Sequence, residues 1–362
     1  MRRRRGALSI YHDSQQPMGL GCMGCRERDL CGGIHTSHIY SCLSFCKCDD
    51  PSKCQYVCRN NLESYIEAVQ EIGGFKLETI ARTPPLKYPT LHHVVPLFYH
   101  SYSRDKVFTG DAVAVPLSHI FNYQAGEVRF RSKEELARAY GFSADTQLVI
   151  TGVDKDPPIE RFWSLALDKA VESLARLQPS IVTVPNYSLF LNVPRWHDLH
   201  SIKRIALVWN EFVSAGIPTS LHPNGRTDQD WQRWTDFVGE RDEIQSLTYE
   251  FKTGPAKRRR GRWHTDKLLQ LAATVDRPLQ LIVRGGYKYL NELYKAFHQV
   301  VFIDTTSFMK TVNRQRLEWR PGGVGKWQSG FTLIGQPIDE LLRHNADTFA
   351  NMISHRVRAE SD

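Results

Sequence analysis

The sequence lacks several patterns that would assign an enzyme class directly. It has neither the lysine and serine or threonine of a P-loop nor the spaced glycines of a dinucleotide-binding fingerprint, which excludes two common phosphate-binding motifs. Ser188 stands outside any nucleophile elbow, which argues against a serine hydrolase. No apolar run approaches the roughly 18 residues that span a bilayer, so we expect no membrane-spanning helix and no membrane partner.

Cysteine is absent from the chain after position 58 and is concentrated before it. The eight cysteines are Cys22, Cys25, Cys31, Cys42, Cys46, Cys48, Cys54 and Cys58. The arginines at positions 2–5 are not followed by the apolar stretch of an export signal, so the sequence predicts a cytoplasmic location. Because disulfide bonds belong mainly to exported proteins, we expect these thiolates to bind a metal.

Zinc is the metal that the cysteine spacing favours, since thiolates a few residues apart can turn back onto one tetrahedral ion. Eight thiolates make two four-cysteine sites, so we expect two zinc ions per chain. The first four and the last four cysteines can form one site each, but an interleaved pairing, or a contribution from His35 or His38, is equally compatible. An iron–sulfur cluster is the alternative, although the C-x3-C-x2-C spacing of radical enzymes is absent.

The charge and the length of the chain indicate its partners and its organisation. A formal net charge of +8 and a sequence pI of about 9.0 favour polyanionic partners such as nucleic acid or phosphorylated ligands. With 362 residues, of which 41% are hydrophobic, the chain suits one large domain plus an accessory module. We therefore expect a disordered basic tail at 1–20, a cysteine-rich zinc module at 21–60, a linker or helix at 61–90 and an α/β domain at 91–362.

Short apolar runs recur through the last of these segments, as expected of strands that are covered on both faces. There are eight, namely His93–Tyr99, Ala112–Leu117, Leu148–Val153, Ser180–Pro185, Pro218–His222, Ser246–Phe251, Leu279–Arg284 and Val300–Asp304. Between them lie segments with helical periodicity, at Ile159–Leu177, Ser201–Ala215, Asp230–Val238, Thr265–Val275 and Tyr289–His298. This alternation predicts an α/β fold of the (β/α)8 TIM-barrel type, with a distorted barrel or an open doubly wound sheet as the alternative.

Function in either fold gathers in the loops that follow the carboxyl ends of the strands. The candidates for acid–base catalysis in those loops are Asp154, Glu250 and Asp304. The candidates for ligand binding are Asn186, His222, Asn224, Lys252, Arg284, Gly285 and Gly286. The glycine pair lets the backbone approach a phosphate closely. For His222, a purely structural role is the alternative to ligand binding.

A basic run follows the sixth predicted strand and leads directly into a tryptophan. It contains Lys257, Arg258, Arg259, Arg260, Arg262 and Trp263. A loop of this composition combines phosphate contacts with stacking on a base, so we interpret it as a nucleic-acid-binding segment; a solvated loop is the alternative.

The stretch Ser180–Trp234 contains VPNYSLFLNVPRW followed by VWNEFVSAGIPTSLHPNGRTDQDW. The stretch contains, in this order, an apolar strand, a polar turn, a helix with a Trp-Asn pair, a Gly-Ile segment and a loop with a late aromatic residue. The residues that form this pattern are Pro185, Asn186, Tyr187, Ser188, Trp209, Asn210, Gly216, Ile217, Asn224, Asp228 and Trp231. This order resembles the DUF4417 family of phages and bacterial mobile elements, and more loosely so over 160–310. The resemblance implies a fold and a mobile-element setting but no reaction, and the loop His222–Arg226 departs from the usual family text.

These observations together predict a zinc-containing, barrel-like protein that binds or acts on nucleic acid or a nucleotide-type ligand. A non-catalytic adaptor that uses the barrel as a scaffold is one alternative, and an iron–sulfur oxidoreductase is another. The residue pattern is compatible with both catalysis and binding alone.

Overall fold

The computed structural model describes residues 62–165, 167–190, 195–252, 258–329 and 332–358. The predicted basic tail and the eight cysteines of the predicted zinc module lie outside the described residues. Helix α1 at Leu62–Glu71 and a 3-10 turn at Leu77–Thr79 fall in the segment between that module and the first strand.

Eight strands form the centre of the fold, and each overlaps one of the eight predicted runs. They are β1 Val94–Pro96, β2 Ala112–Pro116, β3 Gln147–Thr151, β4 Ile181–Thr183, β5 Thr219–Ser220, β6 Ser246–Glu250, β7 Gln280–Arg284 and β8 Gln299–Asp304. Almost every residue in them is buried, which explains why the runs are apolar without alternation.

The eight strands pair in two four-stranded parallel sheets, in the orders β1-β8-β7-β6 and β2-β3-β4-β5. The edges of the two sheets meet at two isolated parallel bridges, Leu97 with Ala114 and Leu221 with Leu247. Since every one of these pairings is parallel, all eight strands point their carboxyl ends to the same side of the molecule. Parallel sheets with helices between their strands confirm the predicted α/β class.

Helices connect most of the strands. They are α2 Leu117–Ile120, α3 Lys133–Tyr140, α4 Asp156–Trp163, α5 Leu167–Ala175, α6 Arg195–Ser214, α7 Asp228–Gly239, α8 Arg258–Val275, α9 Leu290–Ala296, α10 Ser307–Val312 and α11 Asp339–Arg358. Local chemistry fixes several of their ends. The α7 start is a capping box, in which Thr227 accepts from the Asp230 N–H and the Asp230 carboxylate accepts from the Thr227 N–H.

Three of the helix predictions were wrong in their boundaries, and one of these helices, α6, begins at Arg195 rather than at Ser201. The segment Ile159–Leu177 forms two helices, because α4 starts early, with prolines in its first turn, and ends where the Ser164 N–H bonds back to the carbonyls of Glu160 and Arg161. Helix α8 begins at Arg258 rather than at Thr265. The predicted basic loop is therefore largely the first turns of a helix.

Two antiparallel hairpins that were not predicted accompany the parallel strands. One pairs Phe121–Asn122 with Glu127–Val128, and the Asn122 side chain accepts from the N–H groups of Gln124 and Ala125 in the turn. The other pairs Gln315–Glu318 with Lys326–Ser329. Both are short, so their sequence pattern is too brief to distinguish from loop.

The apolar core has two parts, and their composition follows the alternation of side chains along the strands. The larger part contains most of the buried helix residues together with strand residues such as Val94, Val113 and Val283. The smaller part consists mainly of the alternate positions of strands from both sheets, among them Val95, Ala112, Ala114, Val149, Ile181, Ile282, Val301 and Ile303. The strands are therefore packed with apolar side chains on both faces.

Candidate functional site

Two adjoining cavities open at the carboxyl ends of the strands. The first, the charged cavity, has a volume of about 960 Å³ and is lined by residues that include Tyr99, Ser118, Asp154, Arg161, Lys252 and Arg284. The second, the aromatic cavity, has a volume of about 410 Å³ and is lined by residues that include Phe190, His222, Tyr249, Arg260, Trp263 and His264. Asn186, Ser188 and Glu250 line both cavities and form their common wall.

Glu250, the last residue of β6, forms the buried floor of this wall. Its side chain is almost fully buried, and its Oε2 lies 3.3 Å from the Nε of Arg284, which ends the neighbouring strand β7. The Arg284 Nη1 donates to the Val153 carbonyl at 2.7 Å. Burial raises the pKa of the Glu250 carboxyl, although the charge of Arg284 opposes the rise. A carboxyl in this environment can hold or accept a proton nearer to neutral pH than an exposed one.

Lys252 lies two residues beyond Glu250, at the mouth of the charged cavity. Its backbone N–H donates to Glu250 Oε1, and its ammonium group donates to Thr305 Oγ1. Burial of the ammonium group, followed by the charge of Arg284, lowers the pKa of Lys252. Two cationic groups are thus held side by side over the strand ends, an arrangement suited to an anionic ligand.

Asp154 lies just beyond the end of β3 and also lines the charged cavity. Its carboxylate accepts from Ser118 Oγ and, at 2.7 Å, from the Lys155 N–H. Its own N–H donates to Asn186 Oδ1 at 3.2 Å, so the predicted acid and the predicted amide are in contact. These bonds fix the carboxylate at the cavity wall.

Asp304 is a predicted acid that lines neither cavity. It is 1% exposed, and its Oδ1 accepts from the N–H groups of Thr306 and Ser307 at 2.7 and 3.1 Å. Burial raises the pKa of the Asp304 carboxyl, and the hydrogen bonds from Ser307 and Thr306 oppose the rise. The geometry gives Asp304 a role in shaping the turn after β8, with Lys252 as its nearby cation.

His222 forms the inner wall of the aromatic cavity, directly after β5. Its ring stacks on Tyr249 with 5.6 Å between centroids and 7° between planes. The side chain is 3% exposed, and neither ring nitrogen has a hydrogen-bond partner among the described residues. Burial lowers the pKa of His222 to about 4, so the imidazole is neutral at physiological pH. A neutral imidazole offers one donor and one acceptor.

Tyr249 and His264 form the second half of the aromatic cavity wall. The Tyr249 hydroxyl and His264 Nδ1 lie 2.6 Å apart. Burial raises the pKa of Tyr249 well above its ordinary value, while burial and the nearby charge of Arg260 lower the pKa of His264 to about 4. Both partners are therefore uncharged at neutral pH, and this wall carries no formal charge.

The loop after β5 is held in place by bonds from its own polar residues. The Asn224 side chain donates through Nδ2 to the Tyr187 carbonyl at 3.3 Å, and the backbone carbonyl of Asn224 accepts from Trp234 Nε1 at 2.8 Å. Arg226 pairs with the fully buried Asp198. Asn224 was predicted to bind a ligand, and the structure places it at the cavity wall with its side chain already engaged.

Gly285 and Gly286, which were predicted to bind a phosphate, are not among the residues that line either cavity. Both glycines have positive φ angles, of 79° and 72°. A Cβ atom at Gly285 would come within 2.8 Å of Lys252 Cγ, and one at Gly286 within 2.5 Å of the Phe251 ring. Glycine is required here so that the chain after β7 can pack against the residues that follow β6.

The residues of the predicted nucleic-acid-binding run separate in the structure. Lys257 and the side chains of Arg258 and Arg259 lie outside the described residues. Arg260 and Trp263 line the aromatic cavity. Arg262 instead points to acidic neighbours, with its Nη1 2.7 Å from Glu292 Oε1 and a second ion pair to Asp266.

Several cavity residues were missed by sequence reasoning. Ser118 and His119 directly follow β2, so the rule of examining strand ends would have found them. Tyr249 lies inside a strand, and His264 is the seventh residue of α8. No local pattern marks these two, because only the packing of β6 against α8 brings their polar atoms together.

The part of the chain that the structure describes contains no group of three or more histidine, cysteine, aspartate or glutamate residues that could hold a metal ion. Within the same residues, no helix is both long and apolar enough to cross a membrane. Comparisons with protein-family models, with curated proteins and with solved structures found no match to this chain.

Proposed function

We propose that the chain is a (β/α)8-barrel protein that binds a phosphorylated, nucleotide-type ligand, free or within nucleic acid, at the carboxyl ends of its strands. The cyclic order of the strands supports the barrel. The four strands of each sheet and the two isolated bridges connect all eight strands into one ring. The small apolar core contributed by both sheets corresponds to the packed interior of such a barrel.

The junction of the two cavities at Glu250 is the observation that supports a nucleotide-type ligand. One side of that junction presents Lys252 and Arg284, which suit a phosphate or another anion. The other side presents aromatic and imidazole rings, which suit a planar heterocycle. A nucleotide joins these two chemical groups in one molecule, whereas a sugar phosphate would leave the aromatic side without a partner.

Proton transfer is the chemistry that we assign to Glu250, if a bound ligand reacts. The carboxyl lies at the junction of the cavities, and burial raises its pKa. Asp154 lines the charged cavity as well, so two carboxyl groups in different surroundings border the same space. This pairing favours acid–base catalysis over a purely structural scaffold.

The cysteine-rich segment at 21–60 is, in our proposal, a zinc-binding accessory module. Closed four-thiolate sites organise chains that have little apolar content of their own and leave no open position for catalysis. Elemental analysis of the full chain, purified without oxygen, tests this. We expect two zinc ions per chain and no visible absorbance. Iron with matching sulfide would instead show that the segment holds an iron–sulfur cluster. The phage or mobile-element setting is a further proposal, supported by the resemblance at 180–234.

Titration calorimetry with a nucleoside monophosphate and with the matching nucleoside tests the ligand class. We expect the full chain to prefer the phosphorylated compound at least tenfold. Lys252→Met removes one cation from the charged cavity and should abolish most of this preference, because a charge-assisted bond to phosphate is lost. Binding of the nucleoside should change little.

Lys295→Met is the matched control, since Lys295 is an exposed lysine of α9 that lines neither cavity. This variant should bind both compounds like the parent chain. If the parent chain binds neither compound nor a short oligonucleotide at millimolar concentration, the proposal is wrong and the barrel has another ligand or none.

A further inference from the structure

We infer that the aromatic cavity is a receptor for one unpaired nucleobase and that His222 is the residue that reads the edge of that base. The inference rests on the proposed function, because it assigns the base of the nucleotide to one of the two adjoining cavities. It goes further by predicting which form of nucleic acid the protein accepts.

The unsatisfied imidazole of His222 is the first reason for this assignment. The side chain lines the cavity, is 3% exposed and has no hydrogen-bond partner for either ring nitrogen among the described residues. Buried polar groups are normally paired, and an unpaired one needs a specific reason. A donor or an acceptor on the edge of a base would supply a partner for one of the two nitrogens.

The neutral rings that surround His222 are the second reason. Around His222, the ring of Tyr249 and the ring of His264 form a neutral, hydrogen-bonded pair. Phe190 and Trp263 add aromatic surface to the same cavity. Neutral rings with a few polar groups recognise a flat and uncharged heterocycle by stacking. The charged residues Arg226, Glu250 and Arg260 line other parts of the same cavity.

The size of the cavity is the third reason. A volume of about 410 Å³ lies near the small end of the range for single small-molecule sites, which is roughly 300–1,000 Å³. A base that is stacked and paired inside a duplex cannot enter such a space unless it leaves the helix. Arg260 lines the same cavity and is exposed, where it can contact the backbone that carries the base.

The first experiment compares mononucleotides with ribose 5-phosphate, which keeps the phosphate and lacks the base. We expect the parent chain to bind at least one nucleoside monophosphate tenfold more tightly than ribose 5-phosphate. His222→Phe keeps a flat ring but removes both nitrogens, so the preference should fall at least tenfold, with ribose 5-phosphate unaffected. His222→Gln returns a donor and an acceptor and should restore part of the preference. A His222→Phe variant that folds like the parent and keeps the full preference overturns the inference.

The second experiment uses the parent chain alone, so it does not depend on how any variant folds. A single-stranded hexanucleotide and its blunt duplex are titrated at one salt concentration. We expect the single strand to bind at least tenfold more tightly; equal binding means that no unpaired base is read. If the mononucleotide binds and the hexanucleotide does not, the source of the base is a free nucleotide. If ribose 5-phosphate and the nucleotides all fail to bind, the proposed function fails together with the inference. If they bind but the base gives no preference, only the inference fails.

Discussion

The two ends of the strands β5 to β8 differ in chemistry. At the amino ends of β6, β7 and β8, neutral amide and hydroxyl side chains form a closed hydrogen-bond network. At the carboxyl ends, ionisable side chains surround open space, and some of their polar atoms have no partner among the described residues. The side chains of Gln280 and Gln299 thus have all their partners without a ligand, whereas the ring of His222 does not.

Gln280, the first residue of β7, shows how the amino end is closed. Its Oε1 accepts from Ser246 Oγ at 2.7 Å, and its Nε2 donates to Gln299 Oε1 at 2.6 Å and to the Pro89 carbonyl at 3.1 Å. Gln299 in turn donates to the Leu91 carbonyl at 2.7 Å. These bonds hold the segment that precedes β1 across the amino ends of three strands.

The carboxyl end presents the opposite picture. The Asp304 Oδ2 and both nitrogens of His222 are buried without a hydrogen-bond partner among the described residues. Buried groups that are left unsatisfied or charged cost stability, and they are retained where a ligand makes use of them. In our proposal, the amino end stabilises the fold and the carboxyl end binds the ligand.

The largest effect that we predict tests the amino end. Gln280→Ala removes three hydrogen bonds and leaves buried partners unsatisfied, so the free energy of unfolding should fall by about 4 kcal/mol. Urea denaturation measures the loss, and ligand binding by the folded fraction should be unchanged. The exposed Gln270→Ala is the control and should cost little. A Gln280 variant that loses binding but not stability would contradict the division between the two ends.

The next effect tests the histidine of the carboxyl end through pH. The pKa of His222 is lowered to about 4 from an ordinary 6.5, so the unfolded chain binds its proton first as the pH falls. The neutral His222 ring therefore leaves the free energy of unfolding at its full value above pH 6.5. Proton binding by the unfolded chain lowers that free energy as the pH falls from 6.5 to 4. In His222→Asn, the acid-induced loss of unfolding free energy over that window should be smaller, by a difference on the order of 3 kcal/mol.

Chemical denaturation at several pH values measures that difference. The exposed His298→Gln is the matched control, and its stability should follow the parent chain at every pH. If both variants show the same pH dependence, the His222 ring is not held neutral by burial, and the contrast between the two ends is weaker than we describe.

The smallest effect concerns Glu250. Its pKa is raised from 4.5 by burial, so the stability contributed by its protonated form is present below pH 4.5 and is lost as the pH rises through the pKa of the folded state. Glu250→Gln lacks this loss. Its stability relative to the parent should therefore increase with pH above 4.5, by an amount on the order of 1 kcal/mol. Thermal unfolding from pH 4.5 to 8 measures the trend, and a decrease would show that the pair with Arg284 outweighs burial.

The strands were predictable from the sequence because each is buried on both faces, which leaves a continuous apolar run such as the one before Asp154. The same rule located Glu250 and Arg284 at the end of the strands where we propose that the ligand binds. Helix boundaries were less predictable, since the basic residues from Arg258 onward have good helix propensity but look like a charged loop. The contact of Tyr249 with His264 depends on how α8 packs against β6, and no local pattern encodes it.

The pairing of β1 with β8 has a consequence for how the chain folds. Val94 finds its ladder partner Phe302 roughly 200 residues later, whereas β2 to β5 pair in the order in which they are synthesised. Before β8 is made, the main contact available to β1 within the sheets is the single bridge from Leu97 to Ala114. We therefore expect β2 to β5 to form an early folding unit on the ribosome, and the docking of β8 beside β1 to be the late step that sets the folding rate.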